Sequence, residues 1–387
     1  MKMKRTTGKF IVTTTLEEKV RAFVPRPLPP IPQINLDQKL KDLLIQAEND
    51  LRHLNIAARL LPDMNWFIYA FVRKEAVLSS QIEGTQATLE DVLDYEVNSK
   101  NDSSDDVQEV CNYITALNYA VKEIRSKKGL PLSLRMLREA HQRLLKGGRG
   151  KHKSPGEFRE SQNWIGGTRP GNAQFVPPPP DQLKSCLSDL EKYMHSTNDL
   201  PDLIRIGLCH VQFETVHPFL DGNGRIGRLL ILLMMLQYDL LEEPILYLSL
   251  YFKKHRKEYY RLLQEVRTTG AWEAWLAYYL EGISAIAKET TDSSQSLFTL
   301  LQKDRTKLVN SKAATVLSIR LMELLPSNPI VTLPKSVKLL KTTKPTALKS
   351  IRILEDTGIL SETTGSKKNK KYAYTKYIDI LKADTEI

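Results

Sequence analysis

Two apolar segments, residues 203–216 and 226–236, enclose the polar run His-Pro-Phe-Leu-Asp-Gly-Asn-Gly-Arg-Ile-Gly-Arg at residues 217–228, and this arrangement restricts the fold more than any other feature of the chain. In the first segment Ile204, Leu208, Val211 and Phe213 are apolar at helical spacing. The second is apolar nearly all round, as a helix inside a core is. Both read as core helices, and the run between them reads as a tight loop held within protein. Such a loop must account for a base, a carboxylate and two guanidinium groups, because buried charge without partners is costly.

The residue types answer that demand with phosphate chemistry. Gly222, Gly224 and Gly227 are expected to allow positive φ and close approach, so that successive N–H groups turn inward as an anion nest at the start of the next helix. The helix dipole adds favourable potential there. Arg225 and Arg228 lie three apart on the first turn, spaced to grip different oxygens of one polyphosphate. Asp221 would repel phosphate unless a hard cation lies between them, which assigns it to Mg²⁺. His217 is the group in the run that exchanges a proton near neutral pH, as activation of an attacking hydroxyl requires.

The run resembles the HPFxDGNGRxGR signature of the Fic domain family, and every specified position is matched. A glycine-rich turn with core-paired arginines would explain the glycines but leave His217, Asp221 and Asn223 without a role. The resemblance implies a protein adenylyltransferase that moves AMP from ATP to a Ser, Thr or Tyr hydroxyl of a protein target, the chain itself included. It implies His217 as base, Asp221 as Mg²⁺ ligand, and a nucleotide site of Gly222, Asn223, Gly224, Arg225, Ile226, Gly227 and Arg228, with Arg228 on the γ-phosphate. Some relatives transfer phosphate or phosphocholine instead. The small Gly222 and Gly224 keep the ordinary nucleotide orientation open without fixing the donor.

A second motif, Ser79-Ser80-Gln81-Ile82-Glu83-Gly84, is similar to the [S/T]xxxE[G/N] inhibitory element of the same family. Residues 65–82 read as a helix, Gly84 suits the position after its end, and Ser79 and Glu83 share a face four residues apart. A glutamate at a helix C-terminus opposes the dipole and calls for a cation. The resemblance implies that Glu83 takes Arg228 away from the γ-phosphate, so that the chain is autoinhibited. In some relatives the same glutamate positions water for removal of AMP, and the sequence leaves that alternative open.

Residues 163–176 read as a β-hairpin with a glycine-rich turn, where relatives carry a flap that clamps the target by backbone pairing. Just before it, residues 154–159 match a PGxxR element, read as a structural turn. Residues 246–283 carry many aromatics at helical spacing. Most read as core, and Tyr251 is singled out as an adenine contact on the family's pattern, against simple packing.

A chain of 387 residues exceeds one usual core. The reading is mainly α: a Fic-type helical bundle with a β-hairpin flap, plus a C-terminal winged-helix domain. Breaks in composition divide it into an N-terminal strap and inhibitory region (1–106), a catalytic domain (107–283), a helical connector interrupted at 290–296 (284–310) and a winged helix (311–387). The proline-rich residues 25–32 form the strap, and 98–106 an exposed connection. Cys111, Cys186 and Cys209 are odd in number and lack a CxxC spacing, so neither a disulfide framework nor a zinc site is expected. His210, seven residues before His217, reads as a packed residue. There is no apolar stretch of about eighteen residues and no signal-type core after the start, so the expectation is a cytoplasmic protein with no membrane partner, its oligomeric state left open.

From residue 301 onward there are 17 Lys and Arg against 8 Asp and Glu, a net of +9 within a chain total of +11. Helices are expected at 313–325, 335–341 and 345–357, and a wing at 358–374. Lys344, Thr346, Lys349 and Ser350 are expected to face outward, with Lys367, Lys368, Lys370 and Lys371 on the wing. This supports a reading of another class, a DNA-binding regulator attracted to phosphate by lysine, with Arg352 as its candidate base reader.

Overall fold

The computed structural model describes residues 5–61, 63–98, 104–126, 129, 131–148, 150–197, 199–365 and 368–386. Most of the expected connection at 98–106 and the wing residue Lys367 lie outside the described residues. In chain order the strands β1 (Gly8–Thr15) and β2 (Glu18–Pro25) precede helices α1 (Gln38–Arg59), α2 (Met64–Ile82), α3 (Leu89–Asn98), α4 (Asp105–Arg125) and α5 (Leu134–Leu144). There follow α6 (Pro180–His195), α7 (Asp202–Val216), α8 (Asn223–Gln237), α9 (Ser249–Lys254), α10 (Arg256–Thr269) and α11 (Trp272–Val309). The chain closes with α12 (Val316–Leu324), β3 (Ile330–Thr332), α13 (Leu333–Leu340), α14 (Lys344–Asp356), β4 (Ser361–Glu362), β5 (Lys371–Ala373) and α15 (Thr375–Lys382).

These elements close into two compact units. One comprises residues 1–52, 112–244 and 248–286, the other residues 53–111, 245–247 and 287–387. In the first, α7 and α8 form the centre, with every residue of α7 from Leu203 onward buried. Gly207 permits close approach of α11: a Cβ there would stand 2.9 Å from Leu276 and 3.0 Å from Tyr279. The indole of Trp275 donates to its carbonyl at 2.9 Å.

Sequence reading placed no strand before residue 106, yet β1 and β2 pair antiparallel with Thr15 opposite Glu18. The two-residue turn puts Leu16 (φ 48°) and Glu17 (φ 66°) in the left-handed region, the geometry of a type I′ hairpin. Such turns are ordinarily marked by Asn-Gly or similar pairs, and Leu-Glu carries no such mark. The flap over 163–176 is likewise less regular than expected. Its arms meet in a single antiparallel bridge, Ile165 to Phe175. Gly166 and Gly167 take positive φ, and the Asn172 carboxamide oxygen accepts from the N–H groups of Thr168 and Arg169, both at 3.0 Å.

In the second unit, Asp63 caps α2 by accepting from the N–H of Asn65 at 2.9 Å. The helix ends at Ile82, and Gly84 follows at φ 97°. The expected break at 290–296 is absent: α11 runs through it as one 38-residue helix. Thr291 and Ser294 turn their hydroxyls back onto the carbonyls of Ala287 (2.9 Å) and Thr290 (2.7 Å), which satisfies them without leaving the helix. The boundaries read at 106 and 283 fall inside α4 and α11.

The C-terminal segment runs helix, strand, two helices, two strands, with sheet order β3-β5-β4. It packs on α2 and α3 within its unit: Lys371 Nζ donates to Asp94 Oδ2 at 2.7 Å, Lys382 Nζ to Glu90 Oε1 at 2.9 Å, and Gln81 Nε2 to the Thr385 carbonyl at 2.8 Å. Ser350, expected to face outward, is buried and donates to the Thr346 carbonyl; Lys344, Lys349 and Arg352 are exposed and Thr346 half-buried. The helical period puts Ser350 on the same side as Ala347, Ile351 and Leu354, which are core.

Candidate functional site

The helix α7 stops because His217 leaves it in the left-handed conformation, φ 49° and ψ 62°, with its N–H returning to the Phe213 carbonyl at 2.9 Å. That conformation costs about 1–2 kcal/mol in a residue with a Cβ. It persists because its surroundings hold it. The main holder is Arg159, which is 3% exposed. Its Nε donates to the His217 carbonyl at 2.9 Å, its Nη2 to the Pro178 and Val216 carbonyls at 2.5 and 3.4 Å, and its backbone N–H to the Pro218 carbonyl at 2.9 Å. Burial lowers this guanidinium only to about 10, so it stays charged at neutral pH.

From His217 the chain crosses to α8 in five residues. Asn223 pinches this loop shut: the Phe219 N–H donates to its Oδ1 and its Nδ2 donates to the Phe219 carbonyl, both at 2.8 Å. Asn163, from the flap, adds a donor to the same carbonyl at 3.0 Å. Gly222 turns the chain into α8 at φ 76°, and its carbonyl accepts from the Ile226 N–H at 3.1 Å. Among the three glycines, positive φ is confined to Gly222. Gly224 and Gly227 lie within α8 and lack it, which corrects the expectation of three left-handed glycines, because the helix starts three residues earlier than its apolar period. Gly227 instead gives α7 room, since a Cβ there would stand 2.2 Å from Glu214 Oε1.

Below the loop lies His141 of α5, fully buried and stacked on Phe219 with centroids 3.7 Å apart. The Gly156 N–H donates to its Nδ1 at 2.9 Å, so the proton sits on Nε2, which faces the Asp221 carbonyl at 3.0 Å. Desolvation lowers its pKa to about 4, which keeps the ring neutral. His210 is also neutral, lowered to about 3 by burial, with Nδ1 2.9 Å from the Gly227 carbonyl and Nε2 2.9 Å from the Tyr259 hydroxyl. It is a packed residue, as its helical position implies.

The site residues of the loop are thus brought together at one end of α8. Arg225 and Arg228 are both buried on its first turns. Asp221 is 44% exposed at its side chain, accepts from the Gly222 N–H at 2.6 Å and lies 3.7 Å from Arg225 Nη2. Among the described residues no group of three or more His, Cys, Asp or Glu side chains could hold a metal. A lone, accessible carboxylate fits Mg²⁺ where phosphate oxygens and water complete the shell. Tyr251 packs in α9 against the rings of His255 and Tyr278, and a Cβ on Gly282 would meet its ring at 2.7 Å. In the second unit, Ser79 is buried, while Glu83 and Gly84 are exposed beyond the end of α2.

Sequence reasoning passed over Arg159, His141 and Asn163. Arg159 was visible as the last residue of the PGxxR element but was read with the turn. His141 gave no signal, because its partners are backbone groups 15 and 80 residues away.

Residues 41–122 match the model for the Fic/DOC family N-terminal region, and residues 131–235 that for the Fic/DOC family. The chain is 31% identical over 193 residues to the protein adenylyltransferase Fic of Drosophila grimshawi, covering 47% of this chain and 35% of that protein. The protein of the same name from Drosophila mojavensis gives 31% identity, 47% and 34%. The chain thus spans about a third of the length of these curated relatives. Among solved structures, a Fic family protein from Desulfovibrio desulfuricans G20 superposes with TM-score 0.55 at 18% identity, covering 88% of this chain and 97% of that one. Fic-1 from C. elegans gives 0.52 at 21%, covering 67% and 72%. Both share the fold.

Proposed function

We propose that the chain, whose residues 41–122 and 131–235 match the Fic/DOC family models, is a protein adenylyltransferase of that family acting through the α7–α8 loop. The observation that carries this reading is the left-handed His217, held by Arg159 at the mouth of a helix N-terminus whose first turns bury two arginines.

The triphosphate of ATP lies at the start of α8, against the N–H groups that follow Gly222 and between Arg225 and Arg228. The Asn223 side chain is committed to Phe219, so that residue contributes its main chain. His217 takes the proton of a target Ser, Thr or Tyr hydroxyl as its oxygen bonds to the α-phosphorus. The bond from that phosphorus to the α,β-bridging oxygen breaks, and pyrophosphate leaves. Asp221 is the residue that would hold Mg²⁺, which when bound neutralises charge on the phosphates. The protein supplies positioning and charge, not covalent chemistry.

Glu83 is the proposed inhibitory residue, a reading supported by the sequence motif; it stands between α2 and the left-handed Gly84. Incubation of wild type, Glu83→Gly and His217→Ala proteins with labelled ATP, Mg²⁺ and a cell extract tests both proposals. Label should rise in the first variant and vanish in the second; absence of label from every protein would overturn the transferase reading. A second reading, duplex binding through the C-terminal segment, is favoured by exposed Lys344, Lys349 and Arg352. It is weakened by Lys371 and Lys382, whose ammonium groups are paired with Asp94 and Glu90. A salt-sensitive mobility shift of duplex DNA by the full chain tests it. No helix among the described residues is long and apolar enough to cross a membrane.

A further inference from the structure

The hairpin of β1 and β2 presents a second surface beside the flap. Alternation puts Ile11, Val20, Ala22 and Val24 on the inner side, where Val20 and Ala22 pack with Val176, and Val24 with Leu187 and Val216. The outer side carries Phe10 and Val12, with Lys19, Arg21 and Phe23 opposite. Phe10 and Val12 are 53% and 66% exposed, and Leu16 at the tip is 72% exposed. An apolar stripe along an edge is what natural sheets otherwise avoid.

That edge is open for pairing. Among the described residues, β1 has β2 as its one strand neighbour. In an antiparallel pair, main-chain groups point alternately into and away from the partner strand. Phe23 marks the phase, since its N–H turns away from β1 to the Val176 carbonyl at 2.9 Å. Its opposite number Phe10, and with it Val12 and Thr14, therefore direct their N–H and C=O groups to the free edge.

Over this face runs a groove of about 350 Å³, walled by the hairpin, the flap residues from Pro170 to Val176 and α10. Phe23 and Phe175 line its apolar part. Its ionisable lining residues are Lys19, Arg21 and Arg267, all cationic. The nearby Glu18 is tied to Arg169 at 2.7 Å. A second copy of the chain would bring the same cations and no carboxylate among its groove-lining residues to meet them. An acidic segment meets no such opposition.

We propose that the outer face and edge of this hairpin dock an extended, acidic segment of the protein that receives the nucleotide, at a distance along its chain from the modified hydroxyl. The segment adds to β1 as a strand, seats apolar side chains on Phe10 and Val12, and sets carboxylates against Lys19 and Arg21. Only the identity of the partner as a transfer target rests on the proposed activity, and docking itself is read without nucleotide.

The test uses full-length protein and a fluorescent peptide in which Glu and Val or Phe take turns at every second position, so that both kinds share one face of the added strand, with a Lys-for-Glu peptide as control, both followed by anisotropy. The acidic peptide should bind, and more weakly as salt rises. The Lys19→Glu/Arg21→Glu protein should lose roughly tenfold or more in affinity for it and gain affinity for the control. Val12→Pro, which removes an N–H that the hairpin does not use, should also weaken binding while the melting temperature stays within a few degrees. Equal binding of both peptides, no binding of either, or insensitivity to the charge reversal would each overturn the proposal. Self-association of the wild type that Val12→Pro abolishes would assign the face to a second copy, and overturns it too. Docking intact in a protein that transfers no nucleotide would refute the transferase reading alone.

Discussion

The loop at 217–228 and the lysine-rich segment beyond residue 301 both concentrate charge, yet the structure treats them in opposite ways. In the loop, Arg225 and Arg228 are buried, and the polar backbone around them is fastened by Arg159, His141, Asn163 and Asn223. In the C-terminal segment, Lys344 and Lys349 stand in solvent, while Lys371 and Lys382 meet carboxylates at the surface. Burying a guanidinium and straining a histidine cost free energy that the surrounding structure must offset, whereas an exposed lysine costs little to keep. Charge density alone therefore does not mark a site. Buried charge gathered at a strained turn and a helix N-terminus is the stronger sign.

Breaking that contrast at its strongest point means removing His217. His217→Ala should lower transfer on the order of a hundredfold to ten-thousandfold with a much smaller effect on melting temperature, since Arg159 and Phe213 hold this residue by its backbone. Arg159→Ala should act the other way round. It strands the carbonyls of His217, Val216 and Pro178, and should cost about 3 kcal/mol or more in denaturant unfolding, with activity falling as a consequence. Arg159→Lys should recover little, because a single ammonium cannot span those acceptors. A stability loss below about 0.5 kcal/mol in Arg159→Ala would remove it as the holder of the strained turn.

Relief of the proposed inhibition comes next in size. Glu83→Gly should raise transfer about five- to hundredfold, read as initial rates on one acceptor. A pH series sharpens the contrast further. His141 and His210 have folded pKa values of about 4 and about 3, below the ordinary histidine value of 6.5. The unfolded chain therefore binds protons first as pH falls. The stability these neutral rings contribute is complete above about 6.5 and is lost progressively from there towards 4 and below. His141→Gln, which keeps a donor for the Asp221 carbonyl, should be less sensitive to pH over that window than wild type. The smallest effect is expected at the other region: Lys344→Ala and Lys349→Ala should each change stability by less than about 0.5 kcal/mol.

The comparison also explains what could be read in advance. The helices α7 and α8 were legible because their apolar pattern is nearly unbroken, and α2 because Gly84 marks its end. The candidate residues of the loop could be singled out because His217, Asp221 and the two arginines fall within one twelve-residue run. The frame around them was not, because Arg159 and His141 act on backbone carbonyls, which have no residue identity to search for. The N-terminal hairpin escaped for a related reason: its turn places Leu16 and Glu17 where glycine or asparagine is usual, so geometry is imposed by strand pairing against local preference. The continuity of α11 through Thr290–Ser294 was hidden in the same way, since hydroxyls that break helices elsewhere are satisfied here by their own i−4 carbonyls.

The central claim is that the α7–α8 loop hands the α-phosphate of ATP to a hydroxyl activated by His217. The direct measurement compares ATP labelled at the α-phosphate with ATP labelled at the γ-phosphate, using Glu83→Gly protein with and without His217→Ala. Label should enter protein from the α-position, be absent from the γ-position, and disappear with His217. Incorporation from the γ-phosphate, or α-label that persists without the histidine, would contradict the account.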